Sequence, residues 1–322
     1  MKVLVTGGAG YVGSFCVRHL LAADHGVVVL DRRPVRPAGD RASVPSVVGD
    51  IADGPLVQRI LQTHGVEVVL HLAADKSVAE SMAAPGPHLR NNVSGSLALF
   101  EAMLERGVGK IVFSSSAAVY GTPTRLPVDE RAPLAPDNPY GASKVMVEQM
   151  LHWYHVCHGF DTVSLRYFNA AGAADDGSLG EEEAEASNLV PRVMQALAGT
   201  GEPLSVYGTD FATPDGTAVR DYVHVEDLAL AHVRALELVG QGRGAWTFNL
   251  GTGRGHSVRE VLHAAERASG RPVPHQETAR RPGDPAQVWA DASAAARELG
   301  WRAERDLDDI VRSAWSWRQR HD

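Results

Sequence analysis

A doubly wound α/β fold, with a parallel sheet buried between helical layers, is what the 322-residue sequence predicts. Two patterns carry this. The runs KVLVT (2–6), VVVLD (27–31), VEVVLHLA (66–73) and KIVFSSS (110–116) are nearly continuously apolar. They lack the alternation of a half-exposed strand, so they suit strands covered on both faces. Helical spacing fills the gaps between them, and strand–helix alternation builds a parallel sheet.

In order, KVLVT is the first strand and the spacing predicts a helix over 12–23. VVVLD and SVVGD (46–50) follow as strands, then a helix over 55–63 and the strand at 66–73. A helix over about 88–106 leads to KIVFSSS. Pro139 suits a first helical turn, so the next helix starts there. DTVSLRYFN (161–169) is a further strand.

After residue 170 the texture changes. AAGAADDGSLGEEEAEAS (170–187) is small, acidic and turn-rich, and reads as a solvated surface loop. A helix over 188–199, a strand over 204–208, a closing loop over 209–225 and a helix over 225–239 come next. WTFNLG (246–251) can rejoin the main sheet. The rest is a helix (257–268), a Pro/Arg-rich loop (271–287) and a C-terminal helix (306–320). The expected division is a dinucleotide-binding region, 1–170 plus about 225–250, and a smaller interleaved region, about 171–224 with 251–322.

Hydrophobic residues at 44% and charged residues at 22% are ordinary for a globular protein. A net charge of −8 argues against nucleic-acid and anionic-membrane surfaces. There is no apolar run long enough to span a bilayer, and MKVLVTGGAG enters a strand without a signal layout. Cys16 and Cys157 are the two cysteines, outside any CxxC, which fits a reducing cytoplasm. Lysine occurs only at 2, 76, 110 and 144.

TGGAGYVG (6–13) joins the first strand to the first helix and supplies Gly7, Gly10 and Gly13. Glycines in that context let backbone approach a pyrophosphate at a helix N-terminus, the Rossmann fingerprint. Asp31 ends the second strand, where a carboxylate accepts from a ribose diol and repels a 2′-phosphate. That favours NAD, although Arg32 and Arg33 can welcome a phosphate. Asp50 of GDI (49–51) either reaches an adenine edge or caps a strand end.

SSSAAVYG (114–121) closes the fifth strand at the end where open α/β sheets bind ligands, with one active serine at most and the others caps. In NPYGASK (138–144), Tyr140 and Lys144 lie one helical turn apart. A phenol with a pKa near ~10 is a poor base at neutral pH, and lowering it by ~3 units takes ~4 kcal/mol. A nearby ammonium and a cationic nicotinamide can supply that. His152, His155, His158 and Cys157 share a helix, but their spacing drifts around it and focuses on no metal. Trp301, Trp315 and Trp317 read as packing residues.

TGGAGYVG, GDI, SSSAAVYG, NPYGASK and LRYFNAAGA together resemble the extended short-chain dehydrogenase/reductase family. TPDGTAVRDYVHVEDLA (213–229), EASNLVPRV and RRPGDPAQVWADAS (280–293) narrow the resemblance to its UDP-glucose/UDP-galactose 4-epimerase branch, over nearly the whole chain. The resemblance implies a retained NAD, a UDP-hexose oxidised to a 4-keto sugar and re-reduced with inversion, and a homodimer joined through helices near 88–106 and 140–156. Tyr140 would be the base, Lys144 its activator and Ser116 the group orienting the 4-oxygen. Cofactor contacts would fall on Tyr11, Val12, Asp31, Asp50, Ile51, Leu72, Ala73, Ala74, Lys76, Asn91 and Phe168, with Tyr140 and Lys144. Substrate contacts would fall on Lys76, Ser116, Tyr140, Asn169, Asn188, Leu189, Val206, Tyr207, Arg220 and Asp284. Arg32 stands where the family commonly has Asn. Val288 stands where some members carry a bulky tyrosine beside the sugar, which implies room for a 2-acetamido group.

Other readings are a 4,6-dehydratase, a UDP-uronate 4-epimerase and a non-catalytic NAD sensor. A dehydratase needs an acidic pair after the active hydroxyl, where this chain has Ala117 and Ala118. Intact Ser116, Tyr140 and Lys144 argue against the sensor.

Overall fold

Val3, Leu4 and Val5 have no polar side to offer water, and in the computed structural model of the chain all three are fully buried in β1 (Lys2–Thr6). The structure describes residues 1–36, 43–182, 188–200, 203–242, 244–281 and 283–321. After β1 come α1 (Tyr11–Ala22), β2 (Gly26–Asp31), β3 (Ser46–Val48), α2 (Gly54–Thr63) and β4 (Val68–His71). Then follow α3 (Val78–Ala83), α4 (Pro85–Leu89), a π-helical turn (Arg90–Ser94), α5 (Gly95–Glu105) and β5 (Lys110–Ser116). A 3-10 turn (Ala117–Tyr120), α6 (Pro139–His158), β6 (Asp161–Tyr167), β7 (Asn169–Ala171) and α7 (Leu189–Ala198) continue the chain. Beyond these lie β8 (Leu204–Tyr207), β9 (Val219–Arg220), β10 (Tyr222–His224), α8 (Val225–Gln241) and β11 (Ala245–Leu250). The last elements are β12 (His256–Ser257), α9 (Val258–Ser269), β13 (His275–Thr278), β14 (Gln287–Val288), α10 (Ser293–Glu298) and α11 (Leu307–Arg320).

Seven strands form one sheet in the order β11-β6-β5-β4-β1-β2-β3, every neighbouring pair parallel. Side chains alternate across it. Val3 and Val5 pack with Phe15, Cys16 and Leu20 of α1 and Leu228, Ala231 and Leu236 of α8. Leu4 and Val28 face the other way, onto Val57, Leu99, Val147 and Leu151 of α2, α5 and α6. Both faces are covered, which is why these strands read as unbroken apolar runs. The strand order reverses between β1 and β4, and such a switch point opens a crevice at the strands' C-terminal ends.

Helix ends follow local chemistry. Asn138 caps α6 by accepting from the Gly141 N–H at 2.9 Å, Pro139 opens its first turn, and left-handed Gly159 ends it. A second core lies beside the sheet: Val190, Val193 and Met194 of α7 meet Val261 and Leu262 of α9 and Ile310, Val311 and Trp315 of α11.

The predicted helix over 88–106 is three pieces, α4, the π turn and α5. Within the turn, Asn92 accepts from the Asp75 N–H at 2.8 Å and donates to its carbonyl at 3.0 Å, while Ser96 Oγ donates to the Asn92 carbonyl. The segment read as a loop over 209–225 holds β9 and β10. The Pro/Arg-rich loop holds β13, which pairs with β8. Trp301 and Trp315 are buried, and Trp317 stacks on His321. Residues 37–42 of the stretch after Asp31, and 183–187 of the acidic stretch, lie outside the described residues. Among the described residues no helix is long and apolar enough to cross a membrane, and no three His, Cys, Asp or Glu side chains group as a metal site.

Candidate active site

The turn from β1 to α1 crosses the end of β4. Gly7 has φ 77°, and a Cβ there would stand 2.7 Å from the Ala73 nitrogen. A Cβ on Gly13 would stand 2.1 Å from the Gly7 carbonyl oxygen. Only glycine permits this approach. Gly10 caps α1 without a side-chain bond, and the first turn holds no acid. The amides of Tyr11, Val12 and Gly13 therefore present an unneutralised positive helix end at the switch point.

Asp31 flanks this end, accepting from the Ala9 N–H and the Arg33 N–H at 3.0 Å each. Arg32 is paired with Asp75 at 2.8 Å. Leu72, Ala73 and Ala74 border the crevice just beyond β4, partly buried. Asp50 accepts from the Ala52 N–H at 2.9 Å, the turn-capping alternative, while Ile51 is buried beneath Gly95. Asn91 donates to Asn92 at 3.1 Å, and Lys76 pairs with Glu181 at 2.8 Å. The Tyr11 phenol is spent internally, donating to the Gly172 carbonyl at 2.5 Å. Only its backbone serves the helix end.

The next strand end brings three predicted groups together. Ser116 opens the 3-10 turn, accepting from the Ala118 N–H at 3.2 Å, and bonds the Tyr140 phenol. Lys144 is 4 % exposed and donates from Nζ to the Ser114 carbonyl at 2.8 Å, 5.7 Å from the Tyr140 ring centre. Burial pulls its pKa down to about 8, with Glu148 acting the other way. In the protein alone, burial pushes the Tyr140 phenol up and the Ser116 bond opposes that. Lys144 gives one N–H to the Ser114 carbonyl and keeps its charge near the Tyr140 ring, and a further positive charge in the crevice adds to that pull on the phenol. The edge of His88 meets the Tyr140 ring at 6.0 Å, a neighbour no local pattern announces.

Across the crevice, Phe168 is buried with Val119, Tyr120, Val128 and Val288. Asn169 donates its side-chain amide to the Asp221 carbonyl at 3.0 Å. The Asp221 carboxylate gathers the N–H groups of Thr252, Gly253 and Ala290, which draws the later loops up to β9. Val288 thereby lies in register with Arg220. Arg220 stands 3.6 Å from Asp284, and burial lowers its pKa while Asp284, Tyr222 and Asp137 oppose the fall. Asn188 sits at the cap of α7 with no side-chain cap bond, followed by half-buried Leu189. Tyr207 is exposed on β8, whereas the side chain of Val206 is buried in the second core. Arg281 covers the Tyr207 ring at 3.7 Å. The sequence reading passed over this second cation, although it lies three residues before Asp284.

The family model described as Epimerase, the NAD dependent epimerase/dehydratase family, matches residues 3–251. The chain belongs to this NAD-dependent epimerase/dehydratase family. Among epimerase/dehydratase relatives, it is 48 % identical to the UDP-glucose 4-epimerase of Azospirillum brasilense, over 98 % of this chain and 91 % of that protein. It is 43 % identical to the UDP-glucose 4-epimerase of Halalkalibacterium halodurans, over 100 % and 96 %. The crystal structure of UDP-glucose 4-epimerase from Bifidobacterium longum in complex with NAD+ and UDP superposes with a TM-score of 0.95, at 41 % identity, over 99 % of this chain and 98 % of that one. For this epimerase/dehydratase, the glycine cradle, the uncapped end of α1 and Asp31 fit an NAD pyrophosphate and adenosine ribose.

Proposed function

We propose that the protein interconverts the C4 configuration of UDP-hexoses, UDP-glucose and UDP-galactose, through a transient 4-keto sugar. The observation that carries the reading is the meeting of Ser116, Tyr140 and Lys144 at a strand end beside the uncapped glycine turn. Bound NAD supplies the reversible two-electron oxidation at the sugar C4. Gly7, Gly10, Gly13, Asp31 and the backbone of Tyr11 and Val12 hold it. Tyr140 takes the proton of the 4-hydroxyl and later returns one to the same oxygen on the other face. Ser116 holds that oxygen on line with the phenol. Lys144 keeps positive charge beneath the phenol. Arg220 offers a guanidinium fork to the diphosphate, Asp284 accepts from the uridine ribose, and Asn169, Asn188 and Tyr207 line the same side.

The reading extends to assembly and range. Residues 1–170 with about 225–250 bind NAD, and about 171–224 with 251–322 bind the UDP-sugar. A homodimer through α5 and α6 is supported by exposed Leu97 and Leu104 on one and Met146, Trp153 and Val156 on the other. A cytoplasmic setting is supported by Cys16 and Cys157 as thiols. Val288 leaves room for a 2-acetamido sugar. The test is incubation with UDP-glucose, UDP-galactose, UDP-N-acetylglucosamine and UDP-glucuronate, each product analysed at C4. Interconversion of the first two is expected, with turnover of the acetamido sugar that Val288→Tyr removes. No inversion at C4 with any of them refutes the proposal.

A further inference from the structure

Three consecutive serines close β5, and each is tied to a different partner. Ser116 bonds Tyr140, and the Ser114 carbonyl receives Lys144 Nζ at 2.8 Å. Ser115 Oγ donates to Glu148. Tyr140, Lys144 and Glu148 recur every four residues along α6, so they share a face. Glu148 is fixed in place. Arg166 on β6 grips it twice, Nε to Oε1 at 3.0 Å and Nη2 to Oε2 at 2.6 Å. Arg166 is itself anchored, donating to the Tyr120 hydroxyl at 2.9 Å and the Glu130 carbonyl at 3.2 Å. The side chains of this pair are 6 % and 9 % exposed.

We infer that Glu148 is a positioning residue: its anchored carboxylate is the counter-charge that keeps Lys144 an ammonium beneath Tyr140. The inference rests on the roles proposed for Tyr140 and Lys144. Arg166 shares the Glu148 carboxylate and offsets part of its charge, so what reaches Lys144 is the remainder. His71, His88 and Tyr167 add no negative charge at neutral pH. From β4, His71 is pushed down to about 3, by burial first and by Lys144 second. From α4, His88 is also lowered, chiefly by burial, with Asp75 opposing. From β6, Tyr167 meets Ser114 Oγ at 2.6 Å, and burial holds its phenol protonated. Phe113 offers Lys144 a ring face at 4.9 Å. Burial has already drawn Lys144 down to about 8 against the pull of Glu148. Without that carboxylate, the ammonium would lose its proton at lower pH, and the phenol would lose its support.

The test uses the purified enzyme with its dinucleotide. With four lysines in the chain, isotope-labelled lysine gives a readable NMR titration of Lys144. In Glu148→Gln, that titration and the alkaline limb of kcat/KM are expected to move together to lower pH by about one unit or more, about a tenfold loss at a pH on the limb. Glu148→Asp keeps the charge, retracts it, and is expected to move both by less. An unmoved Lys144 titration in folded E148Q, with only the unfolding midpoint lowered, overturns the inference and leaves Glu148 a tie between α6 and the sheet. Should E148Q not fold, an unmoved titration in E148D does the same. Failure of the proposed function looks different: wild type inverts no sugar while Lys144 still responds to position 148.

Discussion

Replacing Tyr140 by phenylalanine removes one oxygen and leaves the ring. The ring still packs edge-on against His88, and α6 still begins at Asn138. What folding loses is the hydrogen bond to Ser116, about 1 kcal/mol. In a chain of this size, that moves Tm by about 2–4 °C at most. On the proposed role of Tyr140, catalysis loses the acceptor for the 4-hydroxyl proton, and general acid–base groups contribute about 10²–10⁴-fold. Tyr140→Phe is therefore expected to fold, to keep its dinucleotide, since the glycine cradle is untouched, and to turn over UDP-galactose at least about a hundredfold more slowly. The assay couples UDP-glucose formation to its oxidation, with dinucleotide content measured after acid release. Turnover within about fivefold of wild type refutes the assignment of the base.

Gly13→Ala drives a methyl into the Gly7 carbonyl, which backbone cannot yield cheaply; the purified variant is expected to lack dinucleotide and to lose about 1–3 kcal/mol in urea unfolding. Arg166→Met strands Glu148 as a buried unpaired charge, with an expected cost of about 3–5 kcal/mol by the same measurement. Burial lowers His71 to about 3 and, first among its causes, His224 and His232 to about 4, so the unfolded chain binds protons that the folded chain refuses. Stability is then present above about pH 6.5 and lost as pH falls toward 4, each histidine steepening the fall by up to about 1.4 kcal/mol per unit, readable as urea midpoints at pH 7 and 5. Met146→Glu with Trp153→Glu charges the exposed face of α6, and sedimentation is expected to show monomers that keep the native circular dichroism.

The main sheet was legible because its strands, buried on both faces, obey a local rule that a single sequence displays. Gly7, Gly13 and Asp31 were legible for the same reason: a strand, a tight turn and a helix stand in one short stretch. What escaped the reading depends on distant partners. Ser114 and Ser115 look like caps beside Ser116, yet they answer Tyr167, Lys144 and Glu148 from other elements. The π turn at Arg90–Ser94 holds Asn92, whose side chain reaches Asp75, a contact that helical periodicity does not record. The four-residue spacing of Tyr140 and Lys144 placed them correctly on one face but said nothing of the Ser114 carbonyl that occupies the ammonium.

Strand β11 lies at the rim of the main sheet, held along six residues of β6 that precede it in the chain by some eighty positions. During synthesis, β6 leaves the ribosome long before its cover exists, and until Leu250 has emerged its outer backbone groups stay open to any extended chain nearby. A chain that stops between 171 and 244 would lack β11 and leave β6 as an open edge, the kind of edge that invites pairing with other chains.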